Sequence, residues 1–207
     1  MNKLLDPGND NASSLRRLFL VRHGETAANA AGRFLGRTDP SLNEHGVRQA
    51  HDAAAMFRSI GPVEVVSSPA RRAVETASLL SGSEPIIEDG FREIDFGDWE
   101  GLTQDEVARV DPVNFAAFAS GDIAGFPGGE SVVEVAERTS AAIAQRTSES
   151  LVVVTHATCI RIMVVALLGL PITRYRLLFD RPANLSVTSL ESDGENWTLR
   201  AYAEEQM

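Results

Sequence analysis

Two short apolar runs constrain this chain more than any other feature. Leu18-Phe-Leu-Val21 and Leu151-Val-Val-Val154 carry an apolar side chain at every position, where a half-exposed strand would alternate. Continuous apolar strands of this length belong in a sheet covered on both faces, the setting of parallel strands in an α/β domain. Each run ends abruptly on a histidine: Arg22-His23 follows the first, and Thr155-His156 the second. In open α/β sheets, ligands bind beyond the carboxyl ends of the strands. Both histidines are therefore expected on one side of the sheet.

The intervening sequence supplies the helices that such a sheet needs. Gly36-Arg-Thr-Asp-Pro40 marks a loop, and Asn43 caps a helix expected to run to about Ser59. After Gly61-Pro62, Val63–Ser67 reads as a second strand. Ser68 reads as an N-cap with Pro69 at the first helical position, so a helix from Pro69 to about Leu80 carries Arg71 and Arg72 in its first turn. A third strand is expected around Pro85–Glu88, followed by a stretch from Phe91 to Gly101 too irregular for a regular element. Thr103 with Glu106, and Ser131 with Glu134, form capping-box pairs that open helices; Pro112–Ala119 reads as a short one. Val132, Ala136, Thr139 and Ile143 share one helical face. An apolar helix is expected over Ala157–Leu168, ended by Gly169 and Pro171. Leu185 and Val187, then Trp197, Leu199 and Ala201, recur at every second residue around Ser192-Asp-Gly194, the pattern of a hairpin closing one sheet edge. The fold class is α/β, a three-layer α/β/α sandwich with a mainly parallel central sheet and a C-terminal antiparallel hairpin.

Length and composition fit one domain over residues 17–207. Residues 1–16 mix Asn, Asp, Ser, Gly and Pro, lack the apolar core of a signal peptide, and read as a flexible tail. The net charge of -10 argues against a nucleic-acid or anionic-membrane surface, so an anionic ligand has to be drawn in by a local cluster of cations. The longest apolar run, Ile162–Leu170, is too short to span a bilayer, and a cytoplasmic protein without a membrane partner is expected. The basic residues are nearly all arginine, Lys3 being the only lysine. The single cysteine, Cys159, excludes an internal disulfide and a multi-cysteine metal site, and its apolar setting suggests a buried, inert thiol.

If the strands ending at His23 and His156 neighbour the one that leads into Arg71 and Arg72, their carboxyl ends bring two imidazoles and at least two guanidiniums into one pocket. That is an anion site. Arg22 offers a planar fork of donors suited to phosphate oxygens, Gly24 lets backbone approach a ligand closely, and His23 is a nitrogen nucleophile or base.

At this point the chain resembles the histidine phosphatase superfamily, in its phosphoglycerate mutase-like branch. The resemblance rests on Leu20-Val-Arg22-His23-Gly24-Glu25-Thr26-Ala-Ala-Asn29, on Ser67-Ser68-Pro69-Ala-Arg71-Arg72-Ala-Val-Glu-Thr76-Ala77, and on Arg92-Glu93-Ile-Asp-Phe-Gly97-Asp-Trp99-Glu-Gly101. Pro127-Gly-Gly-Glu-Ser131, Val154-Thr155-His156, Gly36-Arg-Thr-Asp39 and Leu42–Ala50 also match, in family order. The resemblance implies one catalytic domain with Arg72 as phosphate-binding arginine, and no metal or other cofactor. The chemistry it implies also follows from the residues. A neutral His23 attacks phosphorus in line and forms a phosphohistidine, and a hydrogen bond from its other ring nitrogen, for instance to the Gly24 carbonyl, would fix the tautomer. Arg22, Arg72 and His156 hold the equatorial oxygens. Glu93 protonates the leaving alkoxide and later deprotonates the attacking water. Asn29, with Thr26 and the backbone near Gly36, contacts the phosphate or the substrate rim. His45 and His51 are read as solvated helix residues, Arg71 as a solvent-facing neighbour of Arg72, and Trp99 as packing under the loop that bears Glu93. Arg161 either caps the pocket or forms a salt bridge nearby.

Two positions depart from the family pattern and bear on the substrate. Leu35 stands where members often carry glutamine, and Ala157 stands where glycine commonly follows the second histidine, narrowing the space beside His156. The expected function is a phosphatase for a small phosphomonoester, similar to α-ribazole and broad-specificity phosphatases, with a homodimer as a family-level expectation. The alternative is a cofactor-dependent phosphoglycerate mutase. Such mutases grip a carboxylate with basic residues in a longer insertion, and between Gly101 and Glu130 this chain offers only Arg109. A silent phospholigand-binding module would be expected to lack His23, Glu93 or His156.

Overall fold

The computed structural model describes residues 17–59, 61 and 63–205; the expected tail, 1–16, lies outside the described residues. In chain order the elements are β1 (Arg17–Arg22), α1 (Ala27–Ala30), α2 (Glu44–Ser59), β2 (Glu64–Ser67), α3 (Arg71–Ser81) and β3 (Ile86–Ile87), then α4 (Gln104–Val110), α5 (Pro112–Ser120) and α6 (Val132–Ala144). They continue with β4 (Ser150–Thr155), α7 (Ala157–Leu167), α8 (Tyr175–Leu178), β5 (Val187–Ser192) and β6 (Trp197–Glu204). The sheet order is β3-β2-β4-β1-β5-β6. The first four strands in that order run parallel, and the β5–β6 hairpin is antiparallel and closes the β1 side.

The continuous apolar runs are explained by what lies on each face. All six residues of β4 are buried. Its Leu151 and Val153 pack with Leu18, Leu20, Val135, Ile143 and Ile160 on the face covered by α6 and α7. Val152 and Val154 point the other way, joining Val21 with Ala53 and Phe57 of α2 and Ala73, Ala77 and Leu80 of α3. Side chains alternate across a strand, so a strand with a helical layer on each side needs apolar residues at every position. Each fully buried aliphatic side chain contributes roughly 1.5–3 kcal/mol. The result is a stiff central sheet whose strand ends are fixed points for whatever follows them.

Register then brings the predicted site residues together. Arg22 pairs with Thr155 across β1 and β4, and Ser67 with Val154 across β2 and β4. Past the strand ends the backbones stay joined: His23 N–H donates to Thr155 O at 3.0 Å, and Ser68 N–H to Val154 O at 2.9 Å. Three adjacent parallel strands therefore end level, presenting His23, His156 and Ser68 side by side.

Local signals held where a side chain could cap in isolation. The Asn43 carboxamide accepts from Gly46 N–H at 2.7 Å ahead of α2, and Thr103–Glu106 and Ser131–Glu134 form complete capping boxes for α4 and α6. The start of α3 differs from the sequence expectation. That helix begins at Arg71 after Ala70, and among the described residues no side chain caps it: Ser68 belongs to the strand-end turn, where its hydroxyl hydrogen-bonds with His156 and accepts from Ala70 N–H at 3.3 Å. The irregular stretch 91–101 contains a 3-10 turn at Gly97–Trp99. Trp99 is 1% exposed and fixes the stretch, packing against Phe34, Phe118 and Phe126 while its indole N–H donates to Asp111 at 2.9 Å. No helix among the described residues is long and apolar enough to cross a membrane.

Candidate active site

His23 sits at the end of β1 and is 3% exposed. Its Nδ1 donates to Gly24 O at 2.7 Å, so Nε2 keeps its lone pair. Burial, then the charges of Arg72 and Arg22, hold the imidazole pKa well below its ordinary 6.5. The group is a neutral, oriented nitrogen base. His156 lies beside it, ring centroids 5.0 Å apart at an interplanar angle of 63°. Its Nε2 hydrogen-bonds with the Ser68 hydroxyl at 2.8 Å while the buried Nδ1 has no partner among the described residues, and burial together with Arg72 lowers its pKa as well.

Two guanidiniums flank the imidazoles. Arg72, in the first turn of α3, is fully buried; it donates to Thr38 O at 2.9 Å and Gly36 O at 3.1 Å, and its Nε has no partner among the described residues. Arg22 is 5% exposed, donates to Pro182 O at 2.8 Å, and likewise has a buried Nε without a partner among the described residues. Buried charged donors without acceptors are costly in an apolar interior, and an anion on the site would relieve that cost.

Glu93 comes from the irregular stretch and is fixed by the helix that follows His156. One carboxylate oxygen accepts from Ile94 N–H and Cys159 N–H, both at 3.0 Å, and the other from Thr158 N–H at 3.2 Å. The neighbouring Arg92 pairs with Asp89 at 2.8 Å. Cys159 is buried, with its thiol pushed up to about 12, chiefly by desolvation.

A pocket of about 590 Å³, counted out to its open mouth, gathers Arg22, His23, Asn29, Glu93 and Ala157 in one wall system with Leu35. Thr26 is fully buried and does not line it; its hydroxyl caps α1 by accepting from Asn29 N–H at 3.2 Å. Asn29 Oδ1 in turn accepts from Thr26 N–H, which leaves the amide NH2 of Asn29 as its donor toward the pocket. Gly36 lies on an adjoining pocket with Glu93 and Arg92. Its N–H donates to the Glu100 carboxylate at 2.9 Å, and a Cβ there would fall 2.5 Å from Ile94 O, so the position requires glycine for protein packing. Gly24 is similar: a Cβ would meet Gly46 O at 2.8 Å, so the close backbone approach expected at this position is made to α2. His45 and His51 are exposed on α2. Arg71 is solvent-facing and pairs with Glu75 at 2.9 Å.

Sequence reasoning missed part of this constellation. Ser68 reads as a helix cap in the sequence, whereas in the structure its hydroxyl orients His156. Arg161, left open between capping the pocket and a salt bridge, lines the pocket with no carboxylate partner among the described residues. Its spacing of four from Ala157 on α7 was the available signal. Arg176, Arg181, Phe34 and Phe118 line the same pocket, and nothing in their local sequence announces it. Among the described residues, no group of three or more His, Cys, Asp or Glu is disposed to hold a metal ion.

This geometry agrees with comparisons to known proteins. A glucosyl-3-phosphoglycerate phosphatase from Mycolicibacterium vanbaalenii is 34% identical over 178 residues, covering 79% of each chain. The crystal structure of the α-ribazole phosphatase from Shigella flexneri superposes with a TM-score of 0.79 at 26% identity, covering 91% of this chain and 96% of that one. A probable phosphoglycerate mutase from Erwinia tasmaniensis is 28% identical over 197 residues, 91% of each chain. The profile of the histidine phosphatase superfamily (branch 1) matches residues 18–205, and the chain belongs to that family.

Proposed function

We propose that this protein is a phosphomonoester phosphatase that works through a phosphohistidine on His23 Nε2. The observation that carries the reading is the state of His23: neutral, with Nδ1 tied to Gly24 O, beside two buried guanidiniums whose Nε atoms lack acceptors among the described residues. Nucleophile and anion holders are thus preorganised around one point. Arg22, Arg72 and His156 hold the non-bridging oxygens as charge redistributes. The Ser68 hydroxyl accepts from Ala70 N–H at 3.3 Å, which favours its own proton pointing at His156 Nε2 and leaves Nδ1–H as the donor of that imidazole. Asn29 adds a donor at the pocket wall.

Glu93 is the proton carrier. It lends its proton to the departing alkoxide in the first displacement and takes one from water in the second, so each half-reaction restores what the other consumed. The guanidiniums supply the charge that metal ions supply in many other phosphoryl-transfer sites, and turnover is expected without added metal.

Mutase activity is a second reading that one observation favours. Basic residues that could grip a carboxylate reach the pocket from outside the Gly101–Glu130 stretch, as Arg161, Arg176 and Arg181. Against it, the pocket is open at its mouth, which admits the water that a phosphatase needs.

The test is release of inorganic phosphate from a panel of phosphomonoesters in the presence of chelator, with His23→Ala as control. The panel includes α-ribazole 5'-phosphate, sugar phosphates, phosphoserine, 3-phosphoglycerate and p-nitrophenyl phosphate. Chelator-resistant release that the variant lacks is the expected result. Interconversion of phosphoglycerates with a bisphosphoglycerate primer, without net release, would favour the mutase.

A further inference from the structure

Glu93 stands on a segment without regular secondary structure. Between the 3-10 turns at Asp89–Phe91 and Gly97–Trp99, residues 92–96 form neither helix nor strand, yet a group that moves a proton has to be held in place as firmly as the nucleophile. A segment without its own hydrogen-bond ladder finds partners for its backbone elsewhere. Arg138, on α6, supplies most of them. Its Nη1 donates to Gly90 O at 2.7 Å and to Arg92 O at 2.9 Å, and its Nη2 reaches Glu93 O at 3.4 Å. The other donors form a fork on Glu130, from Nε to one carboxylate oxygen at 2.7 Å and from Nη2 to the other at 3.0 Å. Every N–H of the guanidinium is thereby committed.

Glu130 completes the grip on the far side of Glu93. Its carboxylate accepts from Asp95 N–H at 3.3 Å, and its own N–H donates to Asp95 O at 3.0 Å. The carbonyl that Arg138 passes over, Phe91 O, accepts from the buried hydroxyl of Thr155 on β4 at 2.7 Å. Two independent holds therefore meet on one residue. The Glu93 carboxylate is fixed by the N–H groups of Ile94, Thr158 and Cys159, and its backbone is fixed to α6 through Arg138. Arg138 lines neither of the two pockets onto which Glu93 opens, and its charge is matched by Glu130, so its effect on the site passes through the backbone it holds. Lysine could keep the ion pair, but it presents its donors from a single nitrogen and cannot reproduce the planar fork.

Resting on the phosphatase reading, we propose that Arg138, braced by Glu130, is a positioning residue for the proton carrier: it fixes the backbone on both sides of Glu93 and so sets where that carboxyl group meets the departing oxygen. Arg138 touches no reacting atom. Its loss loosens the acid while the nucleophile and the phosphate-holding arginines keep their own supports, the strand ends and the first turn of α3. The consequence is selective. Esters that need a proton on the leaving oxygen suffer, and esters that leave without one do not.

The experiment compares kcat/KM, which covers the first displacement up to the phosphohistidine, for an alkyl phosphate and for p-nitrophenyl phosphate in the full chain. Arg138→Lys should lower the alkyl value by about 10–100-fold and the p-nitrophenyl value by less than about threefold, the pattern of a displaced general acid. Loss of folded protein lowers both alike, so the ratio between the esters reads positioning alone. In a Glu93→Gln background the same substitution should change the alkyl value by less than about twofold, because no acid is left to position. Amide hydrogen exchange over residues 90–95 reads the clamp without turnover and should be faster in Arg138→Lys than in the wild type. Equal losses on both esters, an undiminished effect in the Glu93→Gln background, or unchanged exchange would each overturn the assignment. The two readings fail separately: a wild type that releases phosphate from neither ester removes the phosphatase and leaves exchange to decide the clamp, whereas equal losses on both esters remove the positioning role and leave the phosphatase.

Discussion

The floor and the rim of the pocket are built from different kinds of structure. The floor is Arg22 and His23, which line the pocket, together with Ser68, Arg72 and His156, which adjoin them; all five stand at the ends of three parallel strands or in the first turn of the helix that follows one, on a sheet packed from both faces. The rim, Arg33, Phe34, Phe118, Arg161, Arg176 and Arg181, comes from helices and connecting segments widely separated in sequence. A stiff sheet suits chemistry, where small displacements of a nucleophile are costly, and assembled segments suit substrate choice, where variation is tolerated. Substitutions in the floor should therefore stop the reaction, and those in the rim should redirect or barely disturb it.

The largest expected effect is that of His23→Ala. Losing the nucleophile should lower kcat on the order of 10⁴–10⁶-fold, as for other enzymes stripped of theirs, while a cooperative thermal transition is retained. Turnover near wild type would place the chemistry elsewhere. Glu93→Gln should lower kcat for alkyl phosphates by about 10²–10⁴-fold and for p-nitrophenyl phosphate far less, since a good leaving group needs little protonation. Equal losses on both esters would remove the acid role.

The floor should also impose a pH signature on stability. His23 and His156 both have folded pKa values well below the ordinary 6.5, from burial first and Arg72 next. Below pH 6.5 the unfolded chain binds protons that the folded chain refuses, so stability is full above that pH and falls as pH drops beneath it. With two such groups the slope approaches about 2.7 kcal/mol per pH unit at its steepest. Urea titrations between pH 5 and pH 8 would read it; stability unchanged over that window would contradict the neutral, buried imidazoles.

At the small end, Arg33→Ala removes an exposed ion pair with Glu106, 3.1 Å long, and a hydrogen bond to Gly101 O, and should leave the thermal midpoint close to that of the wild type. A midpoint lowered as far as by a core truncation would mean that the rim is as integral to the fold as the floor.

The same division explains what could be read from the sequence. The floor was legible because each part leaves a local mark: an apolar run that stops, then a histidine or arginine. Parallel order made those marks converge. Helix starts were legible where one side chain caps within three residues, as at Thr103 and Ser131, and misread at Ser68, whose hydroxyl is committed to His156 across 88 residues. The rim left no such mark. Arg176 and Arg181 are ordinary basic residues until the stretch after Pro171 folds back over the pocket, and that return is fixed by long-range contacts such as Arg22 to Pro182 O and Asn184 to His23 O. Gly24 and Gly36 looked like ligand-facing glycines and proved to be places where backbone meets Gly46 O and Ile94 O.

The central claim is that phosphate passes through His23, and the most direct measurement is the stereochemical course at phosphorus. A phosphorothioate monoester made chiral at phosphorus with two oxygen isotopes is hydrolysed by the wild type in water carrying the third, and the configuration of the released thiophosphate is determined. Two in-line displacements, first by His23 Nε2 and then by water, predict net retention. Net inversion would mean a single direct attack by water and would contradict the phosphohistidine.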